Sequence, residues 1–315
     1  MNGPGRRRAH SGWLAGFAAV GVVAALPSQA ALAVPMPPVG ALHLSALLRA
    51  ASPGVTRTGV PLRPPPWIAA SAAELVNVTT GRQLWGREQN VRRSIASLTK
   101  VMTALVVIKS GHLGRRILIT WADENYLGCC IQGAGLIPGD VLTAVQLLNA
   151  MLLPSGADAA LALAHSFGPG VRAFVRKMNK TARALHMYKT HFTSFDGVLP
   201  SNISTPSNLL TLGEAAMRLA AFRAVVRRAT YQLFATRHHH YYFWRNRNQL
   251  LGNYRGAIGI KTGWIPASGE CLLFEAVRGT RRLIGVVLDS ADNDQSEQSF
   301  WDAETLLNWG FVRRT

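Results

Sequence analysis

The sequence predicts an α+β domain whose antiparallel sheet is built from both chain ends, with helices packed on it and a helical insert between them. Three observations carry this. Near the front, strand-like runs at 68–78 and 82–85 flank Thr79-Thr80-Gly81, the pattern of a β-hairpin. Near the back, three more runs lie at 257–262, 271–277 and 283–288, with Arg278-Gly279-Thr280 turning between the last two. The segments of helical periodicity fall between these two groups, apart from one that closes the chain.

The chain ends set the organisation. Arg6-Arg7-Arg8 precedes an uncharged apolar stretch, 13–26, and then Ala31-Leu32-Ala33. A charged start, a short apolar run and a small-x-small site predict a signal peptide over 1–33 and an exported protein, extracytoplasmic in wall or periplasm. The apolar run is shorter than the about 20 residues a spanning helix needs. An uncleaved N-terminal anchor is the alternative. Residues 34–66, rich in Pro and Ala and ending in Arg63-Pro64-Pro65-Pro66, read as a linker. A single domain is expected over 67–315, and 48% hydrophobic content in 315 residues can supply its core.

Within that domain, Leu98, Val101, Met102 and Leu105 recur at helical spacing and predict a helix over 97–108, with Gly111 as its stop. Lys109-Ser110-Gly111 is accordingly a helix end. Pro138-Gly139-Asp140 marks a turn before a helix over 142–152. Pro154-Ser155-Gly156 breaks the pattern, and a further helix follows over 158–165. Residues 171–187 form an amphipathic helix, with Phe174, Val175, Met178 and Ala182 inward and five basic residues outward. A last helix is expected over 298–309.

The formal net charge is +18, which steers a protein towards polyanions over long range. There is no zinc-finger spacing and no aromatic-rich nucleic-acid-binding strand, so no nucleic-acid partner is expected. Electrostatic association with an anionic cell wall fits the charge. Cys129 and Cys130 are adjacent, and a bridge between them would be strained. Pairing of one with Cys271, or three free thiols, both remain open. No metal-ligand spacing is present, and neither metal nor cofactor is expected. His238-His239-His240 cannot all face one ion from a strand, because neighbouring side chains point to opposite faces. With Tyr241, Tyr242, Phe243 and Trp244 they predict a partly exposed aromatic strand or loop near a cleft, or a stacking surface for a glycan.

Chemistry concentrates at three places. Ser97-Leu98-Thr99-Lys100 opens a predicted helix, where residues three apart are neighbours, so the Ser97 hydroxyl and Lys100 amine share one face. A buried lysine near a second cation loses its proton easily and can then take the serine's. Alone, Ser-x-x-Lys is expected about once by chance in such a chain. Lys261-Thr262-Gly263 is sharper, with a chance likelihood on the order of 5–10%. It ends a strand-like run, where a glycine lets a ligand backbone lie alongside and Lys and Thr can donate to a carboxylate. Ser155 lies between them in Pro154-Ser155-Gly156-Ala157-Asp158, a loop joining two apolar helices.

These blocks, with Ala96 to Leu105, Leu152 to Ala160, Gly259 to Gly263 and Ser268 to Leu272 around them, resemble the penicillin-binding serine peptidases. The closest likeness is to the low-molecular-weight D-alanyl-D-alanine carboxypeptidases, from about residue 67 to 311. The resemblance implies a β-lactamase/transpeptidase-like fold and a serine-type carboxypeptidase trimming peptidoglycan stem peptides that end in D-Ala-D-Ala, with β-lactams as inhibitors. It implies that Ser97 is the nucleophile, Lys100 its base and Ser155 a proton relay. Lys261, Thr262 and Gly263 would hold the substrate, with Trp264 and Ser97 backbone N–H groups as the oxyanion hole. It also implies structural roles for Asn246 and Asn248. Two departures stand out. The second block carries Ala157 where the family has asparagine, and a lost positioned donor lowers the rate by roughly 10²–10³. Residues 289–299 also lack the arginine that relatives place between last strand and last helix; Arg281 and Arg282 on the preceding strand are expected to face solvent, the alternative being that they substitute for it. The alternatives are a degenerate wall- or peptide-binding homologue, or a β-lactamase or esterase of the same mechanism. The chain ends after its closing helix, so no further β-rich domain or C-terminal membrane helix is expected.

Overall fold

The computed structural model describes residues 66–126, 131–291 and 297–313. The predicted signal peptide, nearly all of the linker, Cys129 and Cys130 lie outside the described residues.

Strands β1 (Ala72–Asn77) and β2 (Arg82–Arg87) form the front hairpin, its turn made by Gly81 at φ +69°. Strand β3 (Arg93–Ser94) leads into a 3-10 turn (Ala96–Leu98) and helix α1 (Thr99–Lys109). The insert continues through β4 (Arg116–Leu118), α2 (Trp121–Asn125), β5 (Val141–Thr143), α3 (Ala144–Leu152), α4 (Ala157–Phe167) and α5 (Val171–Ala184). Then come β6 (Ile203–Ser204), α6 (Pro206–Met217), α7 (Ala220–Val226), the hairpin β7 (Thr230–Leu233) and β8 (Tyr242–Arg245), and the short α8 (Leu250–Asn253). Strands β9 (Ala257–Ile265), β10 (Gly269–Arg278) and β11 (Arg281–Leu288) precede α9 (Gln298–Val312).

The five-stranded sheet has the order β2-β1-β11-β10-β9 and is antiparallel throughout. The two chain ends meet where β1 pairs β11, Ala72 opposite Leu288. Side chains alternate across it as the pleat requires. Leu272, Phe274 and Ala276 of β10 pack with Leu283 and Val287 of β11 on the face covered by α9. Leu273, Ile284, Val286 and Leu288 face the opposite way, into the larger core with α1 and α6. Gly285 has no room for a side chain, because the Phe274 ring lies over it.

Several elements differ from expectation. Ser97 sits in the 3-10 turn ahead of α1 rather than in the helix. Leu142 belongs to β5, and α3 starts after Thr143, which forms a capping box with Gln146. Helix α5 stops at Ala184, and His186 adopts φ +60°. Strand β9 continues to Ile265, so Lys261-Thr262-Gly263 lies inside a strand, not at its end.

Candidate active site

The 3-10 turn positions Ser97, the expected nucleophile. Leu98 N–H bonds the Ile95 carbonyl at 3.1 Å, and α1 begins at once behind it. The one-turn offset brings the Lys100 ammonium to 2.9 Å from Ser97 Oγ, to which it donates. Lys100 also donates to the Asp196 carbonyl at 2.8 Å. It is fully enclosed, and burial pushes its pKa down to about 8. The negative charges of Asp196 and Asp158 oppose that fall, and Arg247 adds to it. About a tenth of such amines are neutral at pH 7, against a negligible fraction for an ordinary lysine.

The segment holding Lys100 from below carried almost no sequence signal. Asp196 is wholly buried; its carboxylate accepts from Tyr126 Oη at 2.9 Å and Ser194 Oγ at 2.8 Å. Gly197, at φ +85°, passes so close to the Ala96 carbonyl that a Cβ there would overlap it. Asn202 ties the loop together: its Oδ1 accepts from the N–H groups of Thr193 and Ser194, and its Nδ2 donates to Ser194 Oγ and Thr99 Oγ1. The one sequence clue was the Asp-Gly pair, which marks a turn and nothing more.

Strand β9 is the free edge of the sheet and forms the opposite wall. Lys261 is fully buried on it, donating to the Thr262 carbonyl at 2.9 Å. Its pKa falls well below the ordinary value, first through burial and then through the positive charges of Lys100 and Arg247. Two amines therefore share one buried region. Gly263 abuts the nucleophile turn: a methyl group there would stand 3.1 Å from both Ser97 N and Ala96 Cβ. The strand register holds Gly263 opposite Cys271 and Trp264 opposite Glu270. Cys271 is a buried free thiol whose pKa burial raises to about 12, so it is inert at neutral pH.

Ser155 forms the third corner, between α3 and α4. Its φ of +73° lies in the left-handed region that costs a non-glycine residue about 1–3 kcal/mol, a strain typical of functional positions. Gly156 follows where a Cβ would meet Ala134, the Ala150 carbonyl and Asp158. Asp158 accepts from the N–H groups of Ala134, Leu136 and Ala159, so this carboxylate is committed to holding the 134–136 backbone. Ala157 is buried with its N–H on the Gln132 carbonyl at 2.9 Å.

A cleft of about 1120 Å³ opens between these walls, and Ser97, Lys100, Ser155, Ala157, Thr262 and Trp264 line it. Two arginines that the sequence reading passed over, Arg245 and Arg247, line it as well. Arg247 donates to Gln132 Oε1 at 3.1 Å. Asn246 and Asn248 fold this segment: Asn246 Nδ2 bonds the Arg228 carbonyl, and Asn248 Oδ1 accepts from Leu250 N–H. Arg281 and Arg282 do not point freely into solvent. Arg281 caps the end of α9 through the Gly310, Phe311 and Arg313 carbonyls. Arg282 pairs with the buried Glu275 at 2.6 Å. Both sit at the end of β11 remote from Thr262, whose neighbour Leu272 lies opposite Val287, so neither reaches the cleft.

Comparison with known proteins identifies the family. The family model for D-alanyl-D-alanine carboxypeptidases of the S11 serine peptidases matches residues 60–292. A D-alanyl-D-alanine carboxypeptidase of Streptomyces strain K15 is 38% identical over 281 residues, covering 85% of this chain and 95% of the relative. The carboxypeptidase DacB2 of Mycobacterium tuberculosis is 34% identical over 250 residues, covering 78% and 81%. The crystal structure of the Streptomyces K15 DD-transpeptidase superposes with a TM-score of 0.75 at 38% identity, covering 79% of this chain and 99% of that one. That of a Mycobacterium tuberculosis D-alanyl-D-alanine carboxypeptidase gives 0.72 at 32% identity, covering 82% and 96%. A buried amine on a serine, a lysine-bearing edge strand and these likenesses converge: the chain belongs to the D-alanyl-D-alanine carboxypeptidase family of serine peptidases.

Proposed function

We propose that the protein removes the terminal D-alanine from peptidoglycan stem peptides through an acyl-enzyme on Ser97. The observation that carries this is the 2.9 Å contact between Ser97 Oγ and a lysine whose pKa lies near 8. Ser97 Oγ attacks the carbonyl carbon between the two D-alanines, and Lys100 Nζ takes the hydroxyl proton. The oxyanion forms at the N–H groups of Ser97 and Trp264, on the two backbones that Gly263 allows to meet. Ser155 passes a proton to the leaving amine, D-alanine departs, and water releases the shortened peptide from Ser97. Lys261 and Thr262 hold the terminal carboxylate. The substrate would lie along the free edge of β9 as an added strand.

β-Lactams would acylate the same serine. Fluorescent penicillin labelling of wild type and Ser97→Ala, read by gel and intact mass, tests the reading together with D-alanine release from a D-Ala-D-Ala peptide. Labelling and release that both vanish in the variant support it. A folded wild type that neither labels nor releases D-alanine would leave a wall- or peptide-binding role.

The same proposal places the enzyme outside the cytoplasm, on the strength of Arg6-Arg7-Arg8, the apolar run after it and Ala31-Leu32-Ala33; N-terminal sequencing of the secreted protein checks it. The net charge of +18 and the outward basic face of α5 suit an anionic wall, so wall adsorption should weaken as salt rises.

A further inference from the structure

The β7–β8 hairpin has two unlike faces. On the inner one, Tyr231 and Tyr242 each stack on Trp244, at centroid distances of 6.0 and 5.1 Å, and Trp244 Nε1 donates to the Ala134 carbonyl. Packing accounts for that face. On the outer one, Thr230 stands opposite Arg245 and Gln232 opposite Phe243, and beyond them Phe234 and Tyr241 meet edge to face at 6.3 Å. Phe234, Tyr241 and Phe243 are 68%, 51% and 55% exposed, and no step of the chemistry uses them. A contiguous exposed aromatic surface of this kind marks an interaction site.

Its direction identifies the occupant. Arg245 lines the cleft, Phe243 follows it on the same face of β8, and Tyr241 stands just before the strand, the alternating positions lying about 7 Å apart. The aromatic rows therefore begin at the cleft rim and lead away from it. Between the rings lie polar groups, with Gln232 Nε2 donating to Tyr241 Oη at 3.1 Å. Flat rings interleaved with an amide and a hydroxyl suit pyranose faces with their hydroxyl and acetamido substituents, whereas an aliphatic groove would suit a helix or strand.

We propose that this outer face is a carbohydrate subsite that holds the glycan strand from which the stem peptide hangs. It rests on the carboxypeptidase reading and deepens it: specificity for polymer over free peptide resides in Phe234, Tyr241 and Phe243.

Two measurements on the full chain test it. First, the Ser97→Ala protein and its Tyr241→Ala/Phe243→Ala derivative are co-sedimented, in about 0.5 M salt to screen the basic surface, with insoluble glycan stripped of its peptides. The derivative is expected to bind about tenfold more weakly, as two lost stacking contacts imply. Second, D-alanine release is compared for a free peptide and for the same peptide on glycan strands. The Tyr241→Ala/Phe243→Ala enzyme should match wild type on the free peptide and show a raised KM on the polymer. Tyr241→Phe and Phe243→Tyr, which keep the rings, should restore polymer binding; penicillin labelling reports that each variant with Ser97 intact is folded, and circular dichroism with thermal melting reports it for the Ser97→Ala proteins. Equal sedimentation of both proteins overturns the subsite, as does an equal loss on both substrates. If wild type releases no D-alanine from either substrate, the carboxypeptidase reading fails, while sedimentation still decides the subsite.

Discussion

The Tyr126 hydroxyl donates to the Asp196 carboxylate at 2.9 Å, and the carbonyl of that same aspartate holds the Lys100 amine. Tyr126 is not among the described residues that line the cleft, yet it fixes the residue whose carbonyl holds the proposed base, Lys100. Tyr126→Phe should slow acylation by penicillin by about three- to tenfold, the loss of one net hydrogen bond. Stopped-flow labelling across pH tests this. A positioning role shifts the pH profile as well as the rate, whereas a purely structural one lowers only the amount of folded protein.

Lys100 must be neutral to accept the proton, so the acylation rate should rise with pH and level off above about 8. Lys100→Ala should lower it by about 10²–10⁴. The same shift has a stability consequence. Between about 8 and the unfolded value of 10.5 the unfolded chain binds more protons than the folded one, so this group's contribution to stability increases with pH across that window. A flat acylation profile from pH 6 to about 9 would rule out Lys100 as the base.

Ala157 stands where the family resemblance implies an asparagine donor. Its backbone is fixed by the Gln132 carbonyl, and its side chain lines the cleft. Ala157→Asn should raise the acylation rate by about tenfold or more, since a positioned donor is worth roughly 10²–10³ when fully aligned. The second-order rate constant for penicillin labelling reads this directly.

Glu275 is buried with its carboxylate on Arg282, and burial raises its pKa despite that partner. Arg282→Ala leaves the carboxylate enclosed and unpaired. The expected loss near pH 7 is about 3 kcal/mol, the low end for breaking a buried pair, because the Arg282 side chain is 41% exposed. In the variant the folded state holds the Glu275 proton more tightly than the unfolded chain does. Its deficit should therefore shrink as pH falls towards 5, measured by urea unfolding.

Much of this architecture could be read from the chain, and the exceptions are instructive. Ser97, Lys100 and Lys261-Thr262-Gly263 announce themselves because short motifs encode local geometry: a turn before a helix, and a glycine where two backbones touch. That one sheet draws on both chain ends followed from the strand runs near them, while the strand order did not. The support under Lys100 did not announce itself. Tyr126, Asp196 and Asn202 meet through long-range packing, and nothing in a loop such as Ser194 to Asn202 tells which carbonyl will face an amine. Arg245 and Arg247 were overlooked because an arginine on a short strand looks the same in sequence whether it faces water or a cleft. Helices α6 and α7 were missed although Thr205 followed by Pro206 is a helix-start signal.

The pairing of β1 with β11 has a temporal meaning. Ala72 finds its partner Leu288 only after more than two hundred further residues have been synthesised, and β9, carrying Gly263, is likewise a late arrival. A growing chain thus carries its serine and lysine long before it has the wall against which they work. Until roughly the last fifth of the polypeptide joins the sheet, the proposed oxyanion site and carboxylate grip are incomplete. On the proposed function, a β-lactam would find a serine it can acylate only in the finished fold.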